Sequence, residues 1–85
     1  MKSIWKVNYQ NNEIEVVNTW FNGEKLYVNK QLQDEKLSFF SSDLTGHLFN
    51  LEGQREEIKV NLGGWFTVGC RLFINNIKQK TQQIK

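Results

Sequence analysis

Apolar and polar positions alternate along much of this chain. Between Ile4 and Tyr9, the residues Trp5, Val7 and Tyr9 share one face, a period of two that predicts a half-buried β-strand. Gln10, Asn11 and Asn12 form a polar turn cluster, and residues 13–21 read as a second strand. Its phase changes at Val16 and Val17. Ile14 and Val16 point one way, then Val17, Thr19 and Phe21 the other, a change that a β-bulge would reconcile. Asn22-Gly23 follows, the residue types that best tolerate the positive φ angles of a two-residue type I′ hairpin. That turn sets a register: Phe21 with Glu24, Trp20 with Lys25, Thr19 with Leu26, Asn18 with Tyr27, Val17 with Val28. One face then carries Val17, Thr19, Phe21, Leu26 and Val28 as core. The other carries Asn18, Trp20, Lys25 and Tyr27, with Trp20 and Tyr27 as diagonal neighbours.

Residues 29–36 are polar and read as a loop. A strand over 37–41 and a turn ending at Gly46 follow, then a strand over 47–51 that turns at Gly53-Gln54. From Glu57 to Leu62 the alternation is clean, with Ile58, Val60 and Leu62 inward. Residues 65–74 form the longest strand candidate. Phe66, Val68, Cys70, Leu72 and Ile74 make its apolar face; Trp65, Thr67, Gly69, Arg71 and Phe73 make the other. Gly63-Gly64 before it suits a sheet corner or bulge. Asn75-Asn76 turns the chain into a last short strand from Ile77, bringing Lys78 opposite Phe73. The pattern shows no linker and no internal repeat. About seven to eight short strands at this spacing predict an all-β fold, a small antiparallel β-sandwich or small barrel. Residues 1–80 make its single domain, and 81–85 a frayed C-terminal tail.

Composition narrows the field. Eighty-five residues, 39% of them hydrophobic, suffice for one core. Eleven basic against nine acidic side chains give a net charge of +2, too small a bias to imply nucleic acid by itself. Cys70 is the single cysteine, so no intramolecular disulfide can form. With no apolar leader pattern and no run long enough to span a bilayer, the expectation is a soluble cytoplasmic domain without a membrane partner.

Candidate chemistry is sparse. Ser41, Asp43 and His47 lie along one local stretch, with nothing to set a nucleophile on an elbow or build an oxyanion hole. Cys70 falls on an inward face and reads as a small buried hydrophobe. One Cys and one His are too few for a zinc site. Glu56-Glu57 and Asp34-Glu35 read as solvated charges. No catalytic, cofactor-binding or metal-ligating residue is expected. Two aromatic surfaces remain: Trp20, Lys25 and Tyr27, and separately Trp65, Arg71, Phe73 and Lys78. In a sandwich such aromatics usually close the core or its ends. Exposed, they suit a protein partner first, with pairing of two copies through an edge strand as a further option. Carbohydrate stacked on Trp or Tyr comes second. Single-stranded nucleic acid, which favours mixed bases and aromatics, comes third.

The stretch Thr19-Trp20-Phe21-Asn22-Gly23-Glu24-Lys25-Leu26 resembles the Fas apoptotic inhibitory molecule family, where a strand ending in Trp-x-Asn-Gly-x-x-Leu also enters a hairpin. Phe49-Asn50-Leu51 followed by Ile58-Lys59 is similar to that family's middle strands. Leu72-Phe73-Ile74-Asn75-Asn76, with Lys78, is similar to its closing strand and turn, and Trp5-Lys6-Val7 to its opening one. The resemblance implies a compact antiparallel β-sandwich without enzymatic activity, associated with protein–protein interaction and resistance to aggregation. The family's animal proteins carry two β domains, and this chain has room for one.

Overall fold

The computed structural model describes residues 2–19, 23–37, 41–63 and 69–85, with Ser41 and Ser42 described for backbone only. Expectations for residues 20–22, 38–40 and 64–68, among them Trp20, Phe21, Asn22, Gly64, Trp65, Phe66, Thr67 and Val68, therefore lie outside the described residues. Nine β-strands are present among those described: β1 (Lys2–Tyr9), β2 (Asn12–Thr19), β3 (Gly23–Val28), β4 (Gln31–Lys36), β5 (Ser41–Phe49), β6 (Arg55–Gly63), β7 (Gly69–Ile74), β8 (Ile77–Gln79) and β9 (Gln82–Gln83). They build two antiparallel sheets, ordered β4-β3-β2-β1-β9 and β5-β6-β7-β8. The fold is all-β, a small antiparallel sandwich. Among the described residues no helix is long and apolar enough to cross a membrane.

The inward residues of both sheets meet in one core. Trp5, Val7, Ile14, Val16, Leu26 and Val28 face Leu44, Leu48, Ile58, Val60, Leu62, Leu72 and Ile74. Alternation holds without interruption along β2, and no register shift occurs at Val16 and Val17. Val17 points outward yet is buried, because Ile4 and Lys25 lie directly beside it on the two neighbouring strands. An outward valine in a strand flanked on both sides is covered by its neighbours' aliphatic stems.

This corrects the hairpin register. Thr19 pairs with Gly23, Val16 with Leu26 and Ile14 with Val28, so residues 20–22 separate the strands. A two-residue turn at Asn22-Gly23 would have put Leu26 and Val28 on the opposite face from Ile14 and Val16. Burial of four aliphatic side chains on one face outweighs the turn preference. Gly23 opens β3 with φ +81°, and a Cβ there would strike the carbonyl of Lys36. The two-residue turns of type I′ geometry occur elsewhere. Gln10-Asn11, Asn29-Lys30 and Asn75-Asn76 each hold positive φ at both residues, with angles of 45° and 66°, 50° and 68°, 49° and 67°.

Other boundaries move for similar reasons. Residues 31–36, read as a loop, form β4 along β3, because Asn29-Lys30 turns the chain straight back. The bulge lies there: Leu26 pairs with Asp34 and Tyr27 with Leu32, leaving Gln33 as the extra residue. Ser41–Gly46, read partly as a turn, is extended in β5. Gly46 is needed for close approach, since a Cβ on it would sit 2.9 Å from Leu26 Cδ2 and press on the Gln33 amide. Part of the tail lies along β1. Gln82 and Gln83 pair with Lys6 and Trp5, and Ile84 N–H donates to Ile4 O at 2.8 Å.

The pairings also show a repeat that the pattern alone did not. β1–β4 and β5–β8 are two meanders of matching order. Gly23-Glu24-Lys25-Leu26-Tyr27-Val28-Asn29 matches Gly69-Cys70-Arg71-Leu72-Phe73-Ile74-Asn75 in register and turn geometry, and in burial from Leu26 and Leu72 onward. Ile14 and Val16 correspond to Ile58 and Val60. Between the equivalent hairpins the connections differ in length, 20–22 against 64–68, which hides the match from a fixed-period search.

Gly46→Ala should lower stability by about 1–3 kcal/mol, because the added methyl overpacks the contact between sheets. A lowered urea midpoint with unchanged slope is the expected reading.

Candidate interaction surfaces

At one end of the sandwich four turns converge on a polar network. Glu56 follows the inward parity of Ile58 and Val60 and is only 8% exposed, so its expected role as a solvated charge is corrected. Its Oε1 accepts from Tyr9 Oη at 2.9 Å and Asn75 Nδ2 at 3.0 Å; its Oε2 accepts from Asn50 Nδ2 at 2.9 Å. The Asn50 Oδ1 accepts from the N–H groups of Glu52 and Gln54, which fixes the amide's orientation. Asn75 clamps the neighbouring strand: its N–H donates to Glu57 O, and its Oδ1 accepts from Glu57 N–H. Asn29 makes the same pair of bonds to Glu13. Its Nδ2 donates to Asn12 Oδ1, and Asn12 donates in turn to Phe49 O. A buried carboxylate with three donors is a structural anchor. The parity of Glu56 with Ile58 was the sequence signal for it.

The Tyr9 hydroxyl is shifted above its ordinary value, first by donating to Glu56, then by burial and the nearby carboxylate charge. Burial pushes the Cys70 thiol up to about 12, so it is a poor nucleophile at neutral pH, and it packs against the core as expected. Ser41, Asp43 and His47 lie on one strand in alternate positions. Asp43 binds the Asn61 amide, and the His47 ring stands edge-on to Phe49 with centroids 5.7 Å apart. No cluster of three or more His, Cys, Asp or Glu that could hold a metal is found among the described residues.

For the first aromatic set the structure gives the surroundings of Lys25 and Tyr27 in the corrected register. Lys25 and Tyr27 do share the outer face of β3, but Lys25 lies beside Val17 and Glu35, and Tyr27 beside Glu15 and Leu32. Tyr27 is four positions beyond Gly23, the partner of Thr19. Trp20 lies outside the described residues. Of the second set, Phe73 pairs with Lys78 in the register expected of the Asn75-Asn76 turn, and Trp65 lies outside the described residues. Phe73 is flanked by Lys78 on β8 and by Lys59 on β6, and Arg71 is on the same outward face beside Asn61. None of these three cations has an ion-pair partner among the described residues; the ion pairs found involve Lys6, Lys30 and Arg55. Beside them a depression of about 580 Å³ is lined by Asp43, Asn61, Gly69, Arg71 and Lys78 among others. Through the repeat, Arg71 and Phe73 are the counterparts of Lys25 and Tyr27. The two candidate surfaces are thus one basic-aromatic pair used twice, with Lys59 the residue that sequence reasoning had not joined to it.

Comparison with family models, with curated proteins and with solved structures returns no match.

Glu56→Ala should cost about 1–3 kcal/mol, the penalty for leaving Tyr9, Asn50 and Asn75 without their part-buried acceptor, read as a lowered urea midpoint. The raised Tyr9 value gives a signed pH effect. The bond contributes fully below tyrosine's unfolded value near pH 10 and is lost as pH rises through the higher folded value. Melting temperature should therefore fall in strong alkali, and Tyr9→Phe should make that fall shallower.

Proposed function

We propose that this chain is a non-enzymatic interaction module that binds protein through the outer face of β6, β7 and β8. The observation that carries the reading is Phe73, half-buried between Lys59 and Lys78 with Arg71 adjacent and no acid paired to any of them among the described residues. An aromatic body ringed by uncompensated cations suits a partner surface that brings apolar area and carboxylates together. The groups that could support catalysis have structural engagements instead: Cys70 half-buried against the core, Asp43 on Asn61, Glu56 in its three-donor anchor. The resemblance to the Fas apoptotic inhibitory molecule family supports the same reading and extends it to a cytoplasmic role in protein–protein interaction.

The test is capture from extract of the cells that make the protein, comparing the native chain with Phe73→Ala and Lys59→Glu forms of unchanged melting temperature. Proteins held by the native chain should bind each variant about tenfold more weakly or worse. Equal retention would refute the assignment. Retention of a single-stranded oligonucleotide that weakens steeply with salt would favour nucleic acid in place of protein.

A further inference from the structure

The repeat exposes a difference between its two halves. In the first, β4 pairs along β3 from Val28 back to Glu24, and its Glu35 and Lys36 pair with Lys25 and Glu24. In the second, β8 pairs only with Leu72, Phe73 and Ile74. The counterparts of Glu24 and Lys25, Cys70 and Arg71, have no strand beside them on that side among the described residues. Their backbone orientation follows from the Asn75 N–H, which points to β6. By alternation Phe73 and Arg71 point the same way, while Ile74, Leu72 and Cys70 direct N–H and C=O toward β8. At Cys70, β8 has already ended. The depression lined by Gly69, Cys70, Arg71 and Lys78 lies at this stretch.

Charge explains why the chain's own tail leaves. Continued in register beyond Gln79 opposite Leu72, the next residue, Lys80, would fall directly opposite Arg71. The equivalent pair in the first half is Glu35 opposite Lys25. Like charges in directly opposed positions are destabilising, and opposite ones favourable. The tail instead crosses to β1 and pairs there as β9.

We propose that the open edge of β7 at Gly69–Arg71 takes up an extended acidic peptide as an added strand continuing β8. Its backbone pairs with the Cys70 N–H and C=O, and a carboxylate sits opposite Arg71, within reach of Lys78, where Glu35 sits opposite Lys25 in the first half. Asp43, the acid lining the same depression, is held by Asn61. This rests on the interaction-module reading and names the partner's form: main-chain pairing gives affinity, and the flanking side chains give the preference for acid.

Two short peptides serve as probes, one alternating glutamate with valine, the other lysine with valine. Amide hydrogen exchange of the native chain is followed by NMR. The glutamate peptide should slow exchange at Cys70 by about tenfold or more, and the lysine peptide should not. Arg71→Glu should invert that preference. Lys80→Glu should bring the tail onto β7, protecting the Cys70 amide without peptide and weakening peptide binding. Peptide binding that leaves the Cys70 amide unprotected, or that is indifferent to the sign of charge, would overturn the proposal. A captured protein lost on Phe73→Ala but kept on Lys80→Glu would refute the edge alone and leave the module reading standing.

Discussion

Two open sheets have four edges, and the unpaired N–H and C=O groups along them are the problem this chain must solve. Left bare, an edge recruits other strands. The edge of β5 is covered without a strand: Gln33 Oε1 accepts from His47 N–H at 2.7 Å, and Asp34 Oδ2 from Thr45 N–H at 2.9 Å. Side-chain oxygens stand in for strand carbonyls and tie the two sheets at their β4–β5 side. The bulge at Gln33 makes this possible, because it turns two successive β4 side chains toward β5. On the other side the tail performs the same office for β1. The stretch of β7 beyond β8 is left over.

That imbalance is legible only because the two halves are otherwise so alike. The same Gly-x-basic-Leu-aromatic-aliphatic-Asn segment forms the third strand of each meander and enters its last turn, and its Asn does the same work twice. Asn29 and Asn75 both sit at the first position of a tight turn and clamp the strand next to the one they end, β2 and β6 respectively. One asparagine thus satisfies a positive-φ turn and joins three strands, a reason it occupies that place rather than glycine. The halves part company where polar character is free to vary. Asn12 and Glu56 are equivalent in position, yet the carboxylate gathers Tyr9, Asn50 and Asn75, whereas Asn12 bridges Asn29 and the Phe49 carbonyl.

Alternation carried most of the fold. The inward sets Trp5-Val7, Ile58-Val60-Leu62 and Leu72-Ile74, the turn at Asn75-Asn76 and the pairing of Phe73 with Lys78 could all be read from the chain. What failed was local turn preference set against long-range burial. Asn22-Gly23 is the strongest two-residue turn signal present, but Ile14 and Val16 can share a core with Leu26 and Val28 only if three residues intervene. β4 leaves little trace in the pattern because its residues, Gln31 to Lys36, carry almost no apolar alternation; it meets β5 through its own side-chain acceptors, Gln33 and Asp34, and not through a core. Glu56 has the residue type of a solvated charge but shares the inward parity of Ile58 and Val60. The repeat escaped notice because identity survives in roles more than in letters, with Lys for Arg, Tyr for Phe and Val for Ile.

Magnitudes explain how one lysine can choose between edges. A cross-strand charge pair contributes about 0.2–1 kcal/mol, and reversing its sign from Glu35 opposite Lys25 to Lys80 opposite Arg71 changes the balance by about twice that. A typical hydrogen bond adds only about 0.5–1.5 kcal/mol net. For a strand as short as β8 the two quantities are comparable, so the charge contrast can cancel the bonds that extending it along β7 would bring. The β1 edge offers the tail equivalent main-chain pairing without a cation opposite Lys80. Small terms decide here because neither edge borders enough apolar surface to decide for them. The same smallness makes the vacated edge responsive to a chain whose charge is reversed.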